Sequence, residues 1–366
     1  MTESRRFVTI PSLDGLRAIS IGLVFAAHAG FDITPGGFGV TVFFVLSGFL
    51  ITTLLRMEHD RSSTVSLAGF YRRRAFRILP AFYAVLIVAA VLTVVAGLGS
   101  GKLDRLPLLS QALHYFNYFT VFYHGPQEAI NGTGIYWSLA IEEHFYLVLP
   151  LLFLVMNRRH LAYNRQAAIM CGLAGAVLVW RCILVYHFHV DQARTYYATD
   201  TRADSLLLGC ALALYRNPVI DPVNESPGKV RWAAVGGVAM ILASLSYRNF
   251  QFREGFRYTI QAAALVLIIR YVVLAPRSNV GRVLNSRLLI WIGQMSYAFY
   301  LVHQIVIFEI QKHVSGKVPV AALALVISFG IAWGLQRAVM SPAAGVRQRM
   351  DKRRAERRLS NELTLG

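Results

Sequence analysis

Long apolar runs, broken by short polar stretches, set the pattern of this 366-residue chain. Runs long enough or nearly long enough to cross a hydrocarbon core of about 30 Å fall at residues 13–31, 38–56, 79–98, 136–156, 167–187, 203–215, 232–246, 258–275, 288–310 and 318–340. The pattern predicts an all-α polytopic membrane protein with about ten transmembrane helices in a single membrane domain, residues 1–345, followed by a basic tail, 346–366. The run at 203–215 is short for a crossing. An eleventh apolar stretch, 108–123, carries His114 and Asn117.

Loop charge sorts these runs, because short cytoplasmic loops are enriched in Lys and Arg. Ten crossings with an inside N-terminus put five basic segments on one side: 56–77, 157–165, 216–231, 276–287 and the tail with its arginines at 347–358. If 108–123 also crossed, two of these segments would be forced outside. The stretch therefore reads as a re-entrant or interfacial hairpin on the outer side, and both termini as cytoplasmic in an inner (plasma) membrane protein.

Composition agrees. Apolar residues make up 55% and charged residues only 15%, too few to sheathe one water-soluble core. Mean hydropathy is +0.48. The net charge of +18 would suggest nucleic acid in a soluble protein, but here the cations gather in alternate loops, which suits an anionic leaflet and argues against nucleic-acid binding. Cys171, Cys182 and Cys210 lie in apolar runs without ligand spacing, and no metal is expected. Arg5, Arg6 and the segment Ala27-His28-Ala29 imitate a secretory signal, but the many spans that follow favour an uncleaved first helix.

An ionised side chain at mid-membrane costs about 2.5–3.5 kcal/mol even on a permissive scale, so those inside the runs need partners, a wet cavity or a function. Arg17 and His28 are eleven positions apart, close to three helical turns, so they share a face about 16 Å apart along the axis. Asp14 joins that face. His28 reads either as a hydrogen-bonded core histidine or as a functional base. Glu142 and Glu143 open the fourth run behind Trp137 and Ser138. Helical geometry sets the two carboxylates 100° apart, and they read as a solvated helix start or as acid/base groups facing a cavity.

Arg72, Arg73, Arg74 and Arg77 form a basic patch at the mouth of the third run, supplied by topology alone or placed to grip phosphates. Asp200 and Arg202 sit at the start of the sixth run, as an ion-pair network closing a helix end or as substrate contacts. Tyr300 and His303, at i and i+3, form a structural hydrogen-bond cluster or a substrate surface.

Several ordered motifs carry a family resemblance: the Leu-Asp-Gly-Leu-Arg-Ala opening with Arg17 and His28, the segment 43–51, the pair Arg74 and Arg77, and the segments 137–146, 201–209 and 293–303. In these the chain resembles the acyltransferase 3 family of bacterial membrane acyltransferases. The resemblance implies ten membrane helices and acyl-coenzyme A, usually acetyl-CoA, as donor from the cytoplasm. The acceptor would be a hydroxyl of a carbohydrate, surface polysaccharide or lipid-linked sugar, or of a small secondary metabolite such as a macrolide. It also implies that His28 is catalytic with Arg17 as its motif partner, and that Arg74 and Arg77 lie near the donor. His144 departs from the glutamine common at that position in related sequences.

Some members carry an appended hydrolase-like domain, for which no room is expected after this tail. The expected mechanism has Arg74, Arg77 and Arg73 at the coenzyme phosphates, His28 accepting the acceptor's proton, and Glu142 or Glu143 orienting the imidazole or holding the sugar. Asp14, Trp137, Ser138, Asp200, Arg202, Tyr300 and His303 are candidate substrate contacts. A transporter or flippase that uses the Arg17/His28 stripe as a path is the rival reading.

Overall fold

A computed structural model describes residues 10–99, 103–123, 128–222 and 225–365, with side chains described as far as Arg353. The described residues are helical and contain no strand. In chain order the helices are α1 (Pro11–His28), α2 (Gly36–Ser62), α3 (Leu67–Ala96), α4 (Arg105–Ala112), α5 (Phe116–Phe122), α6 (Trp137–Arg158), α7 (Tyr163–Tyr186), α8 (Gln192–Tyr197) and α9 (Thr199–Leu214). They continue with α10 (Pro227–Ser246), α11 (Phe250–Gly255), α12 (Arg257–Leu274), α13 (Asn279–Leu284), α14 (Arg287–Gln311), α15 (Lys317–Leu335) and α16 (Ser341–Leu365).

Among the described residues, eight helices are long and apolar enough to cross a membrane: α2, α3, α6, α7, α10, α12, α14 and α15. The sequence also predicts crossings at the first and sixth runs, and these correspond to α1 and α9. They differ in kind: α1 carries Asp14, Arg17 and His28, and α9 has only 16 residues. Both lie inside the bundle, α1 between α14 and α2 and α9 between α2 and α7. A helix wrapped in protein needs neither the length nor the apolar surface of one facing lipid, so its polar side chains can be retained. The stretch at 108–123 forms parts of α4 and α5, two short helices joined through His114 at φ 55°, and neither can span a bilayer.

Close helix crossings use glycines where a β-carbon would collide with backbone. A Cβ on Gly293 would sit 1.9 Å from the Asp14 carbonyl oxygen, so α14 packs directly on the start of α1. Gly48 and Gly209 do the same for α2 against α9, with an added Cβ 2.0 Å from the Leu206 carbonyl or 2.2 Å from that of Val45. Without a hydrophobic drive between helices in lipid, such close approach supplies much of the association energy.

The loops gather at two ends. At one end, Arg56 of α2 forms an ion pair with Asp221 at 2.5 Å, His59 bonds Tyr163 of α7 at 3.0 Å, and Arg72 of α3 holds Asp351 of α16 at 2.6 Å. Four of the five basic segments read from the sequence, 56–77, 157–165, 216–231 and the tail, meet there, which is the arginine end. At the opposite end Asn117 bonds Thr199, Lys317 pairs with Asp32, and Glu309 accepts from the backbone of Gly99. The basic tail is helical: α15 passes through a π-helical turn, Gln336–Met340, into α16.

Candidate active site

A cavity of about 390 Å³ opens among α1, α2, α3, α6 and α14. Each helix contributes one stripe at i, i+3, i+4 and i+7 spacing. From α1 come Asp14 and Arg17, from α3 Arg74 and Arg77, from α6 Ser138, Glu142 and Tyr146, and from α14 Gly293, Tyr297 and Tyr300. Ser47 of α2 and Met340 of the π-helical turn complete the wall. The stripes explain why charged residues survive in apolar helices: their side chains face this chamber and not lipid.

Glu142 is the best-held carboxylate. Ser47 Oγ donates to Glu142 Oε1 at 3.0 Å, and the Tyr146 hydroxyl donates to Oε2 at 2.8 Å. Glu143 also lines the cavity but forms no hydrogen bond or ion pair among the described residues. Arg17 donates to Asp14 at 3.1 Å. Arg74 lies over the Tyr146 ring, 5.2 Å from its centroid, and Arg77 is exposed; neither forms an ion pair among the described residues. Glu142 acts on Arg74 across the chamber, and the two guanidiniums, held in no ion pair, can still grip an anion at the mouth. The Tyr297 hydroxyl is spent on the Ile78 carbonyl at 2.9 Å. The hydroxyls of Ser47, Tyr146 and Tyr297 all donate to protein acceptors, so the charged donors facing the chamber are the arginines.

At its far end the cavity is bounded by Ser138 and Tyr300, whose hydroxyls are 2.7 Å apart, with the Tyr300 hydroxyl also 2.8 Å from the Ile135 carbonyl. Beyond them lies His28. It does not line the cavity; it is half-exposed at the last residue of α1, with Nδ1 2.9 Å from Nε2 of His303. His303 is fully buried and its Nδ1 is 2.9 Å from the Tyr300 carbonyl.

The structure separates the residues singled out by the sequence. Asp14, Arg17, Arg74, Arg77, Ser138, Glu142, Glu143 and Tyr300 meet in one chamber, and His28 and His303 form a pair next to it. Neither glutamate touches His28; its orienting partner is another imidazole. Arg73 turns away to an ion pair with Glu58 at 2.5 Å and does not line the cavity. Asp200 is occupied by Arg194 at 2.5 Å and Trp180 at 2.7 Å. Arg202 is buried over the Tyr258 ring at 3.9 Å, and Trp137 packs against Tyr196 at 4.7 Å. These three lie outside the cavity. His144 bonds Thr199 at 2.8 Å.

Ser47 and Tyr146 were not marked as candidates by sequence reasoning. Tyr146 had a signal, since it stands four residues after Glu142 on one helical face, and Ser47 lies in the segment 43–51 that carries the family resemblance. Among the described residues no group of three His, Cys, Asp or Glu side chains could hold a metal ion.

A family model described as an acyltransferase domain matches residues 10–337. The chain belongs to the acyltransferase 3 family. The matched span carries the five α-helices that line the cavity. The chain is 33% identical over 314 residues to the peptidoglycan O-acetyltransferase OatA of Listeria monocytogenes, covering 82% of this chain and 49% of that protein. It is 31% identical over 351 residues to the putative O-acetyltransferase SACOL0978 of Staphylococcus aureus, covering 90% and 56%. A third relative, the putative peptidoglycan O-acetyltransferase YrhL of Bacillus subtilis, is 33% identical over 319 residues, covering 84% and 49%. The chain thus spans about half the length of the curated relatives it matches. No solved structure matches it.

Proposed function

We propose that this acyltransferase 3 family member sits in the plasma membrane and moves an acyl group, most simply acetyl, from acyl-CoA to a hydroxyl of a cell-surface carbohydrate. The arginine end faces the cytoplasm, as loop charge requires, and both termini lie on that side. The carrying observation is the chamber itself: unpaired Arg74 and Arg77 at its mouth, Arg17 and a held Glu142 inside, and a histidine pair beyond its far end. A cavity of about 390 Å³ suits an extended acyl-pantetheine arm but not the nucleotide, whose phosphates stay at the exposed Arg77. The carbohydrate acceptor is favoured by the names of the peptidoglycan O-acetyltransferases among the relatives, and by the half-exposed position of His28 toward the end opposite the arginines.

In this reading an imidazole nitrogen of His28 accepts the proton of the acceptor hydroxyl as its oxygen attacks the acyl carbonyl carbon. The C–O bond forms, the C–S bond breaks, and the departing thiolate takes the proton from the imidazolium. Arg17 steadies the donor inside the chamber, whose wall excludes competing water. Ser138 and Tyr300 stand between chamber and imidazole, so their contact parts when the thioester arrives.

The test is transfer of labelled acetyl from acetyl-CoA by the protein in lipid vesicles, together with mass spectrometry of surface glycans from cells with and without it. His28→Ala should insert and fold but lower transfer by about 10²-fold or more, the least that a general base contributes. Wild-type turnover in that variant would remove His28 from the reaction.

A further inference from the structure

We infer that His303 is a positioning residue: it fixes the tautomer of His28, so that His28 presents an unprotonated Nε2 toward the acceptor. The inference rests on the reading of His28 as the base. His303 Nδ1 is 2.9 Å from the Tyr300 carbonyl oxygen. A carbonyl oxygen only accepts, so Nδ1 of His303 carries hydrogen and donates. His303 is fully buried, and neither ring pairs with a carboxylate among the described residues. An imidazolium there would be a buried charge without a counter-ion, so His303 is neutral and its Nε2 holds a lone pair. That lone pair faces His28 Nδ1 at 2.9 Å, and His28 must donate to it through Nδ1–H. A neutral His28 with hydrogen on Nδ1 leaves Nε2 bare.

The ring geometry agrees with a hydrogen bond and not with stacking. The two imidazoles lie within 17° of parallel with centroids 5.2 Å apart, the separation that two rings in line through a 2.9 Å N···N contact require. His303 is itself fixed by packing, since its ring lies 5.6 Å from the Phe299 ring at 9° and 6.3 Å from that of Phe25. The chain of bonds runs from a backbone carbonyl through a buried imidazole to a half-exposed one, which is the arrangement a general base needs to keep one nitrogen ready. No proton is created or lost in this relay: when Nε2 of His28 takes the acceptor's proton, Nδ1–H still donates to His303, and the proton later leaves with the thiolate.

The direct test uses wild-type protein labelled with ¹⁵N-histidine in lipid vesicles, with solid-state NMR reading the protonation of each ring nitrogen and His28→Ala assigning the His28 signals. Hydrogen on Nδ1 and none on Nε2 of His28 is expected; the opposite tautomer overturns the proposal. Kinetics give a second measurement. His303→Leu, which fills the space but cannot accept, should lower kcat by about 10²-fold, within the range a general base contributes, with the KM for acetyl-CoA unchanged within about twofold. His303→Gln, whose amide both donates and accepts, should recover most of that loss. Equal loss in both variants, or a raised KM in both, would mean His303 only supports packing. If His28→Ala retained activity while the Nδ1–H tautomer was still found, the base reading would fail and the tautomer assignment would stand.

Discussion

The hydroxyls of Ser138 and Tyr300 lie 2.7 Å apart, and this contact separates the arginine-lined chamber from the histidine pair. Tyr300 works on both sides of the boundary. Its hydroxyl bonds Ser138 and the Ile135 carbonyl, while its own carbonyl receives Nδ1–H of His303. The two contacts reside on different atoms of one residue, so the first can part without disturbing the second.

Tyr300→Phe should therefore expose the boundary without removing either side. The backbone carbonyl and its bond to His303 remain, but Ser138 and Ile135 lose a buried partner, which costs roughly 1–3 kcal/mol. Thermal unfolding in detergent should report that loss. With the barrier weakened, water gains access to the thioester, and the ratio of acetyl-CoA hydrolysis to acetyl transfer should rise. An unchanged ratio would show that the contact plays no part in excluding water.

The arginines at the mouth divide into two kinds. Arg74 and Arg77 form no ion pair among the described residues, whereas Arg73 is paired with Glu58 at 2.5 Å. Replacing Arg74 or Arg77 by Ala should raise the KM for acetyl-CoA about 10- to 100-fold, corresponding to loss of a charge-assisted hydrogen bond worth about 1.5–3 kcal/mol. Arg73→Ala should leave that KM unchanged. Steady-state kinetics on the three variants checks both statements, and equal effects from all three would favour positive-inside topology as the reason for the whole patch.

Stability has its own polar centre. Arg181 of α7 and Asp204 of α9 are both fully buried and 2.9 Å apart, and Arg181 also bonds the carbonyls of Gly255 and Thr201 and the Thr259 hydroxyl. Removing one partner leaves an uncompensated buried charge, so Arg181→Leu should destabilise the fold by about 3–5 kcal/mol. The double change Arg181→Leu with Asp204→Leu should recover part of this, since replacing a whole buried pair is far milder than breaking it. Melting temperatures of the single and double variants in one detergent decide the matter.

The outline of this protein is contained in one dimension. Lipid demands long apolar helices, and loop arginines mark which of their ends lie together, so the spans and the basic end can be read from hydrophobic runs and charge alone. The stripe from Asp14 through Arg17 to His28 is equally legible, because helical periodicity fixes which side chains share a face. The motif order likewise points to the family.

Only the tertiary structure decides what each stripe meets. The sequence could not show that α1 and α9 are enclosed by neighbours, because helix wrapping depends on contacts such as Gly293 against the Asp14 carbonyl and Gly48 against that of Leu206. Nor could it assign partners. Glu142 went to Ser47 and Tyr146, Arg73 to Glu58, Asp200 to Arg194, and His28 to His303, 275 positions away. A side chain's type states what it can bond. Which bond it makes is set by the angle and depth at which two helices cross, a property of the packed bundle that no local spacing encodes.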